Sequence, residues 1–256
     1  LLFPQPVETP KGGTLGVFLE QDDDNNNVIK GFTEGSPAEA AGLRAVLFKD
    51  HFYCATPVLD LIRRRRNSTS ALELLSGIPL NNALGVASVA GQAKIMPVRI
   101  SDSTGYTYWS NMAAGLTWAA DNGARIANMS FNGVAGSSSV LSAAKYMKDR
   151  GGLSFVSAGN DNKDPGYANT DVMIIVSATD SNDAKSSFSN FGDHVHLSAP
   201  GSGIYSTTWG QTYASVSGTS FSAPVAAAVA ALVMSANPKL TNTQVEQILF
   251  KTAVDL

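Results

Sequence analysis

The sequence predicts an α/β fold, in which a largely parallel sheet carries helices on both faces, preceded by a small α+β domain. Two observations lead to this prediction. In the second half of the chain, short apolar segments alternate with segments of helical periodicity, a pattern typical of parallel sheets. The first half is dense in charge, whereas the second is rich in Ala, Gly, Ser and Val. Gly77 and Pro79 interrupt the chain between them, so the predicted domains are residues 11–77 and 81–256.

The first domain is predicted to begin with a hairpin. Residues 14–19 are apolar enough for a strand, an Asp/Asn tract suits the loop, and residues 28–32 form the returning strand. A short helix follows at residues 36–43, whose first two residues, Ser and Pro, suit the N-cap and the first helical position. Residues 58–64 predict a second, amphipathic helix.

The second domain is predicted to alternate strands with helices. Its strands are short and apolar, as strands buried on both faces are, and its helices carry apolar residues at helical spacing. The predicted strands are residues 93–99, 124–130, 153–158 and 172–178, and the predicted helices are residues 108–122, 137–148, 220–236 and 243–252.

Composition excludes several classes of protein. The 256 residues are 44% hydrophobic and 15% charged, which suffices for a large core and argues against general disorder. The 18 Lys and Arg against 21 Asp and Glu give a net charge of −3, so a nucleic-acid partner is not expected. The longest apolar stretch, residues 223–234, is shorter than a bilayer-spanning helix. The one cysteine, Cys54, allows no disulfide within the chain.

Four short segments of the first domain share a recognisable pattern: Leu15-Gly16-Val17, Gly35-Ser36-Pro37-Ala38, Ala41-Gly42-Leu43-Arg44 and Thr56-Pro57. They resemble the PDZ domains that are attached to bacterial proteases. The resemblance implies that backbone amides around Leu15, Gly16 and Val17 bind a peptide C-terminus, which adds as a strand to a sheet edge. After Arg44 the chain departs from the family pattern, and the alternative is a small α+β domain that binds no ligand.

One segment of the second domain points to nucleophilic chemistry. Gly218-Thr219-Ser220 comes directly before a long apolar segment, so the Ser220 hydroxyl is predicted at a helix N-terminus. Free amides and the helix dipole favour negative charge at such a position, which suits a nucleophile beside an oxyanion site. Taken alone, the pattern is more often an ordinary Ser N-cap.

Four motifs occur in order along the second domain. They are Asn128-Met129-Ser130; Ser157-Ala158-Gly159-Asn160; Ser187-Phe188-Ser189-Asn190-Phe191-Gly192 with Ala199-Pro200-Gly201; and Gly218-Thr219-Ser220 with Ala223-Pro224. Together they resemble the subtilisin-like serine proteases, from about residue 81 to residue 256. The resemblance implies a subtilisin-like fold and endopeptidase action on polypeptides through an acyl-enzyme.

The resemblance implies a role for each matching residue. Ser220 is the expected nucleophile, and Asn160 is the expected donor to the oxyanion beside the Ser220 amide. Ser130-Phe131-Asn132 is expected to pair with substrate as an added strand. Ser157-Ala158-Gly159 is expected to form the facing wall of the main specificity pocket. The family usually has Gly where Asn132 stands, so a side chain there is expected to narrow that pocket.

The same resemblance shows what the sequence lacks. The family carries its Asp at the end of a first strand and its His in a His-Gly-Thr-His segment, and neither pattern occurs in this chain. Without a base and its carboxylate partner, Ser220 is expected to be inactive or strongly impaired. The missing strand belongs at the centre of the sheet, so the first domain is expected to cover that place or leave an apolar face exposed.

Three histidines remain in the chain: His51, His194 and His196. The residues around His51 do not resemble the family's His segment. His194 and His196 alternate along a predicted strand and so share one face. A metal site is one interpretation of such a pair, but ordinary polar residues of a strand explain it better, and no metal site is predicted here.

Calcium is the one cofactor that the resemblance suggests. Leu80, Asn82, Leu84 and Val86 match a family loop that offers oxygen ligands to Ca²⁺, whereas the other usual ligands belong to the missing segment. The expected partner is a polypeptide substrate or peptide ligand, and the family favours an extracytoplasmic location. The alternative function is a non-catalytic peptide-binding pseudoprotease. A third interpretation is a truncated or fused gene product.

Overall fold

The computed structural model describes residues 17–21, 27–32, 53–57, 86, 88–90, 93–102, 105–208 and 212–254. The strands in these ranges are β1 (Val17–Gln21), β2 (Asn27–Phe32), β3 (Tyr53–Pro57), β4 (Lys94–Val98), β5 (Ile126–Met129), β6 (Leu153–Ser157), β7 (Ile174–Thr179), β8 (Leu197–Pro200), β9 (Ile204–Thr208) and β10 (Thr212–Val216). The α-helices are α1 (Trp109–Asp121), α2 (Ser138–Asp149), α3 (Thr219–Ala236) and α4 (Asn242–Thr252).

Six strands form one parallel sheet in the order β4-β3-β5-β6-β7-β8. This sheet confirms the α/β fold expected of the second domain. Strand β3 lies between β4 and β5 and is parallel to both: Tyr53 pairs with Lys94, and Cys54 pairs with Ile126. β3 comes from residues 11–77, the range expected to form the first domain. In the structure this strand belongs to the sheet of the second domain. The first half of the chain thus fills a place inside the sheet.

The first half of the chain is described over β1, β2 and β3. β1 and β2 pair antiparallel, with Val17 opposite Phe32, as the predicted hairpin requires. Leu15, Gly16 and the two helices predicted for the first domain lie outside the described residues. The PDZ-like domain and its peptide-binding edge therefore stay a prediction.

Both faces of the sheet are covered by helices. Phe155 packs with residues of α3 on one face, whereas its neighbour Val156 packs with residues of α1 and α2 on the other. Ile174 and Ile175 divide between the two faces in the same way, because successive side chains of a strand point to opposite sides. Burial on both faces explains the continuous apolar runs of these strands.

Helix α3 is buried along most of its length. Its alanines allow close packing against β6, β7 and β8. At 18 residues and a mean hydropathy of 1.6, the helix is longer than the apolar stretch of residues 223–234 and is long and apolar enough to cross a membrane. Because 61% of it is buried inside the fold, and because core helices of ordinary domains pass the same test, it is weak evidence for a membrane span.

Local signals set the ends of the last elements. The Thr241 hydroxyl accepts from Gln244 N at 3.2 Å while the Gln244 side chain accepts from Thr241 N at 2.9 Å, a capping box that begins α4. The antiparallel hairpin of β9 and β10 was not predicted, since its strands are rich in Ser and Thr and short of apolar residues. It returns the chain to α3, where Gly218 N donates to Gly201 O at 2.8 Å.

Candidate active site

The predicted site residues meet at the carboxyl edge of the sheet. Ser130 follows β5, Ala158 follows β6, and α3 begins at Thr219, one residue before Ser220. Because β5 and β6 are parallel neighbours, the segments after them leave the sheet side by side. This edge is where parallel α/β sheets form crevices for ligands.

The backbone of Ser220 is tied to the end of β5. Ser130 Oγ donates to Ser220 O at 2.8 Å. In an uninterrupted helix this carbonyl would accept from the residue four positions later, which is Pro224, and proline has no N–H. Ser130 therefore supplies the donor that the helix lacks. Asn128 Nδ2 donates to Ser130 Oγ at 3.1 Å and helps to hold that hydroxyl in place.

The Asn160 carboxamide caps the same helix with its carbonyl side. Its Oδ1 accepts from Thr219 N and from Thr219 Oγ1, both at 2.9 Å. Thr219 Oγ1 in turn accepts from Gly159 N at 3.1 Å. No described residue accepts a hydrogen bond from Asn160 Nδ2. The bonds to Asn160 Oδ1 thus fix the orientation of the carboxamide, and its NH₂ group stays available to a ligand.

Three polar groups at this helix end have no hydrogen-bond partner among the described residues: the Ser220 hydroxyl, the Ser220 N–H and the Asn160 NH₂. The amides of a first helical turn lack intrahelical acceptors, and the dipole favours negative charge there. A methyl group built on Gly218, whose φ is 153°, would lie 3.6 Å from Asn160 Nδ2. If the Ser220 hydroxyl attacks a carbonyl, the Ser220 N–H and the Asn160 NH₂ can donate hydrogen bonds to the oxyanion that forms.

A buried side chain that the sequence analysis gave no role, Asn190, fixes the segment that carries Asn160. Asn190 is 1% exposed. Its Nδ2 donates to Ala158 O at 3.0 Å, and its Oδ1 accepts from Asp161 N at 2.9 Å and Lys163 N at 3.2 Å. The chain before and after Asn160 is therefore held by one carboxamide. Asn190 stands in a motif that was matched as a whole, which is the only sequence signal for it.

The segments after β5 and β6 face each other. Ser157 Oγ donates to Phe131 O at 3.2 Å and joins them at their base. Further out, a methyl group built on Gly159 would lie 2.9 Å from Asn132 Oδ1. The predicted substrate-pairing segment and the predicted pocket wall are thus brought together, with the Asn132 carboxamide between them.

His196 lies one residue before β8, so the strand that was expected to carry both His194 and His196 on one face begins only after them. Its Nδ1 accepts from Ile175 N at 3.1 Å, and its Nε2 lies 2.7 Å from Thr170 O, to which it donates. The ring stacks on Phe250 of α4 at 6.0 Å between centroids. Burial lowers the pKa of His196, against the Thr170 carbonyl and Glu246, which raise it. Accepting at Nδ1 and donating at Nε2 require the neutral ring.

His194 is buried in a different surrounding. It is 1% exposed, and neither ring nitrogen has a hydrogen-bond partner among the described residues. Tyr167 packs edge-on to the ring at 5.5 Å, and Asp164 Oδ1 lies 3.8 Å from Nδ1. Burial lowers the pKa of His194 more than Asp164 and Asp193 raise it. The imidazole is therefore mainly neutral near pH 7.

Neither described histidine hydrogen-bonds the Ser220 hydroxyl. The described ranges contain no group of three or more His, Cys, Asp or Glu residues that could hold a metal ion. His51 lies outside the described residues, as do three of the four positions of the predicted calcium loop, Leu80, Asn82 and Leu84. The calcium site stays a prediction.

The fold and this helix end define a class: an α/β protein with a serine at the start of a helix, beside an amide donor suited to an oxyanion. The Subtilase family matches residues 75–256. This match covers most of the chain, and the chain belongs to the subtilase family.

Relatives of known identity agree with this assignment. Thermitase from Thermoactinomyces vulgaris is 43% identical over 164 residues, which are 63% of this chain and 59% of the relative. Alkaline elastase YaB from Bacillus sp. (strain YaB) is 38% identical over 182 residues, 69% of this chain and 47% of the relative. Subtilisin Savinase from Lederbergia lenta is 37% identical over 69% of this chain and 66% of the relative.

A solved structure, described as a cold adapted subtilisin-like serine proteinase, shares the fold with a TM-score of 0.64. It is 28% identical and is matched over 78% of this chain and 80% of that chain. The chain is thus a homologue of subtilisin-family serine endopeptidases. It spans between about half and two thirds of the length of the three curated relatives.

Proposed function

We propose that Ser220 is the nucleophile of a serine endopeptidase and that Asn160 and the Ser220 N–H bind the oxyanion. The Ser220 oxygen attacks the carbonyl carbon of a peptide bond, the C–N bond then breaks, and the hydroxyl proton leaves with the amine. Water hydrolyses the resulting acyl-enzyme in a second, similar step. The substrate class is polypeptide.

One observation carries this proposal: hydrogen bonds hold the groups that adjoin the Ser220 hydroxyl, whereas three groups that the reaction needs stay unpaired among the described residues. Oδ1 of Asn160 is bound by Thr219, and the Ser220 carbonyl is bound by Ser130. The Ser220 hydroxyl, its N–H and the Asn160 NH₂ have no partner among the described residues. Gly218 is the N-cap of α3 and Ser220 is the second helical residue, so the Ser220 hydroxyl does not serve as an N-cap.

We expect hydrolysis of peptide bonds by Ser220 to be slow. In subtilisin, a member of this family, removal of the catalytic His alone costs about 2 × 10⁶ in kcat and leaves roughly 10³–10⁴ over water. His196 is committed to backbone groups at both ring nitrogens, and His194 is buried without contact to Ser220. A fast reaction needs a base from residues that the structure does not describe.

A fluorophosphonate probe tests the proposal, because phosphonylation needs the same nucleophile and the same oxyanion donors. We expect slow labelling of the folded chain that disappears in Ser220→Ala and persists in Ser215→Ala, which removes an exposed hydroxyl of β10. We expect Asn160→Ala to slow labelling by about 10²–10³, the cost of losing this donor in subtilisin. Intact-mass spectrometry against time measures all four chains.

Each outcome is decisive. Labelling that persists in Ser220→Ala, or the absence of any Ser220 label on the folded chain, contradicts the nucleophile assignment. Full labelling of Ser220 within the mixing time contradicts the slow reaction and shows that a base is present. An unchanged rate in Asn160→Ala contradicts the oxyanion site while it leaves the nucleophile in place.

A further inference from the structure

The side chain of Asn132 occupies the gap between the two segments that flank the proposed nucleophile. Asn132 is exposed and makes no hydrogen bond with a described residue. Its carboxamide nevertheless lies across the gap, because its Oδ1 is only 2.9 Å from the position that a methyl group on Gly159 would take. The Asn132 amide therefore takes up part of the space between its own segment and Gly159.

The opposite wall cannot move back to make room. Gly159 has a φ of 105°, and a methyl group built on it would lie 2.4 Å from Asn190 Nδ2. Asn190 is buried and hydrogen-bonded to Ala158 O, Asp161 N and Lys163 N. Asn190 N also donates to Gly159 O at 2.9 Å, so the backbone of Gly159 is held in place and the width of the gap depends on the residue at position 132.

A substrate side chain must enter this gap. In the proposed reaction the attacked carbonyl lies at Ser220, with its oxygen between the Ser220 N–H and the Asn160 NH₂. The side chain of the substrate residue that carries this carbonyl therefore lies next to the oxyanion site. In the protein, Gly159 directly precedes the oxyanion donor Asn160, and Asn132 lies against Gly159. The substrate side chain is thus expected beside Gly159 and Asn132.

We infer that Asn132 restricts this endopeptidase to substrates with a small side chain, Ala or Ser, on the residue whose carbonyl is attacked. The inference rests on the proposed function. A Leu or Phe side chain must displace the Asn132 carboxamide, whereas Ala or Ser fits beside it, and Ser can also hydrogen-bond to the amide. One extra or missing methylene in a hydrophobic pocket changes the ratio of kcat/KM between two substrates by about 10–200-fold.

Peptide binding tests the inference without the need for turnover. Dye-labelled tetrapeptides Ala-Ala-Ala-Xaa with a free C-terminal carboxylate place an oxygen at the proposed donors and the Xaa side chain in the gap. Fluorescence anisotropy gives the Kd for Xaa equal to Ala, Ser, Leu and Phe. The chains compared are the wild type, Asn132→Gly, Asn132→Ala and the control Asn182→Gly, which removes an exposed loop carboxamide with no hydrogen bond to a described residue.

We expect the wild type and Asn182→Gly to bind the Ala and Ser peptides at least tenfold more tightly than the Phe peptide. We expect Asn132→Gly to tighten Phe binding at least tenfold, with a smaller gain in Asn132→Ala, while binding of the Ala peptide changes less than threefold. Peptide binding with the same order in all four chains overturns the inference and leaves the proposed function standing. If no peptide binds to any folded chain, the proposed substrate site is wrong, and the inference fails with it.

Discussion

The residues around Ser220 and the two histidines before β8 are polar groups that the fold surrounds in three different ways. At Ser220, hydrogen bonds hold the supporting groups, Asn160 Oδ1 and the Ser220 carbonyl, while the hydroxyl and two donors stay unpaired among the described residues. At His196, both ring nitrogens are bound to backbone. At His194, both are buried without a partner in the described part of the chain.

This difference separates chemistry from structure better than residue type does. Histidine is the usual base beside a nucleophilic serine, yet both described histidines are placed to remain neutral inside the fold. Serine at a helix start is usually an N-cap, yet Ser220 is the second residue of α3 and its hydroxyl has no partner among the described residues. Ser220 differs from His194, whose ring nitrogens also lack partners in the described part of the chain, because Ser220 is partly exposed whereas His194 is buried.

The largest stability effect in this comparison is expected at Ser130. Ser130→Ala removes the donor to the Ser220 carbonyl and should lower the free energy of unfolding by about 1–3 kcal/mol, the cost of an unpaired polar group. In a Pro224→Ala background the helix regains an N–H four residues after Ser220, so the same substitution should cost less than about 1 kcal/mol. Urea unfolding of the four chains of this double-mutant cycle measures the coupling.

Ser142→Ala is the matched control for that cycle. Its hydroxyl donates to Ser138 O at 2.9 Å on the exposed face of α2, where no proline removes the helical donor. We expect a loss within about 0.5 kcal/mol. An equal cost of Ser130→Ala with and without Pro224 contradicts the explanation given for the Ser130 hydrogen bond.

A smaller effect is expected from acid at His196. Its pKa in the folded chain is lowered by burial, so the unfolded chain binds more protons below the ordinary value of about 6.5, and stability rises with pH across that window. The contribution is complete above about pH 6.5 and is lost as the pH falls toward the folded pKa. One proton changes the free energy of unfolding by at most about 1.4 kcal/mol per pH unit.

His196→Gln removes this titration and keeps an amide donor for Thr170 O. Urea unfolding at several pH values between 7.5 and 5 should therefore show a shallower pH dependence in the variant than in the wild type. His194, Lys148 and Glu246 also face this region, and His194 has a pKa lowered in the same direction, so some dependence should remain. Identical slopes in the two chains contradict the assignment of a neutral His196.

Most of the second domain was predictable because its signals are local. The apolar runs and helical spacings gave every strand from β4 to β7 and all four helices within two residues of their observed ends. The candidate site residues Ser220, Asn160 and Ser130 stood in motifs, and hydrogen bonds join Ser130 and Asn160 to the start of α3, while their roles stay predictions.

What the sequence did not reveal depends on distant partners. The place of β3 in the sheet follows from pairing with β4 and β5, whereas the sequence pattern of its last two residues, Thr56 and Pro57, indicated a PDZ-like domain. The bond between Ser130 and the Ser220 carbonyl joins residues 90 positions apart. The support of Gly159 by Asn190 likewise appears only when the segments after β6 and β7 are packed together.

The structure of the fluorophosphonate adduct tests the central claim most directly. After long incubation, a crystal structure of the labelled chain should show phosphorus on Ser220 Oγ and the phosphoryl oxygen within about 3 Å of both Ser220 N and Asn160 Nδ2. A phosphoryl oxygen that points away from these two donors, or phosphorus on any other residue, contradicts the account.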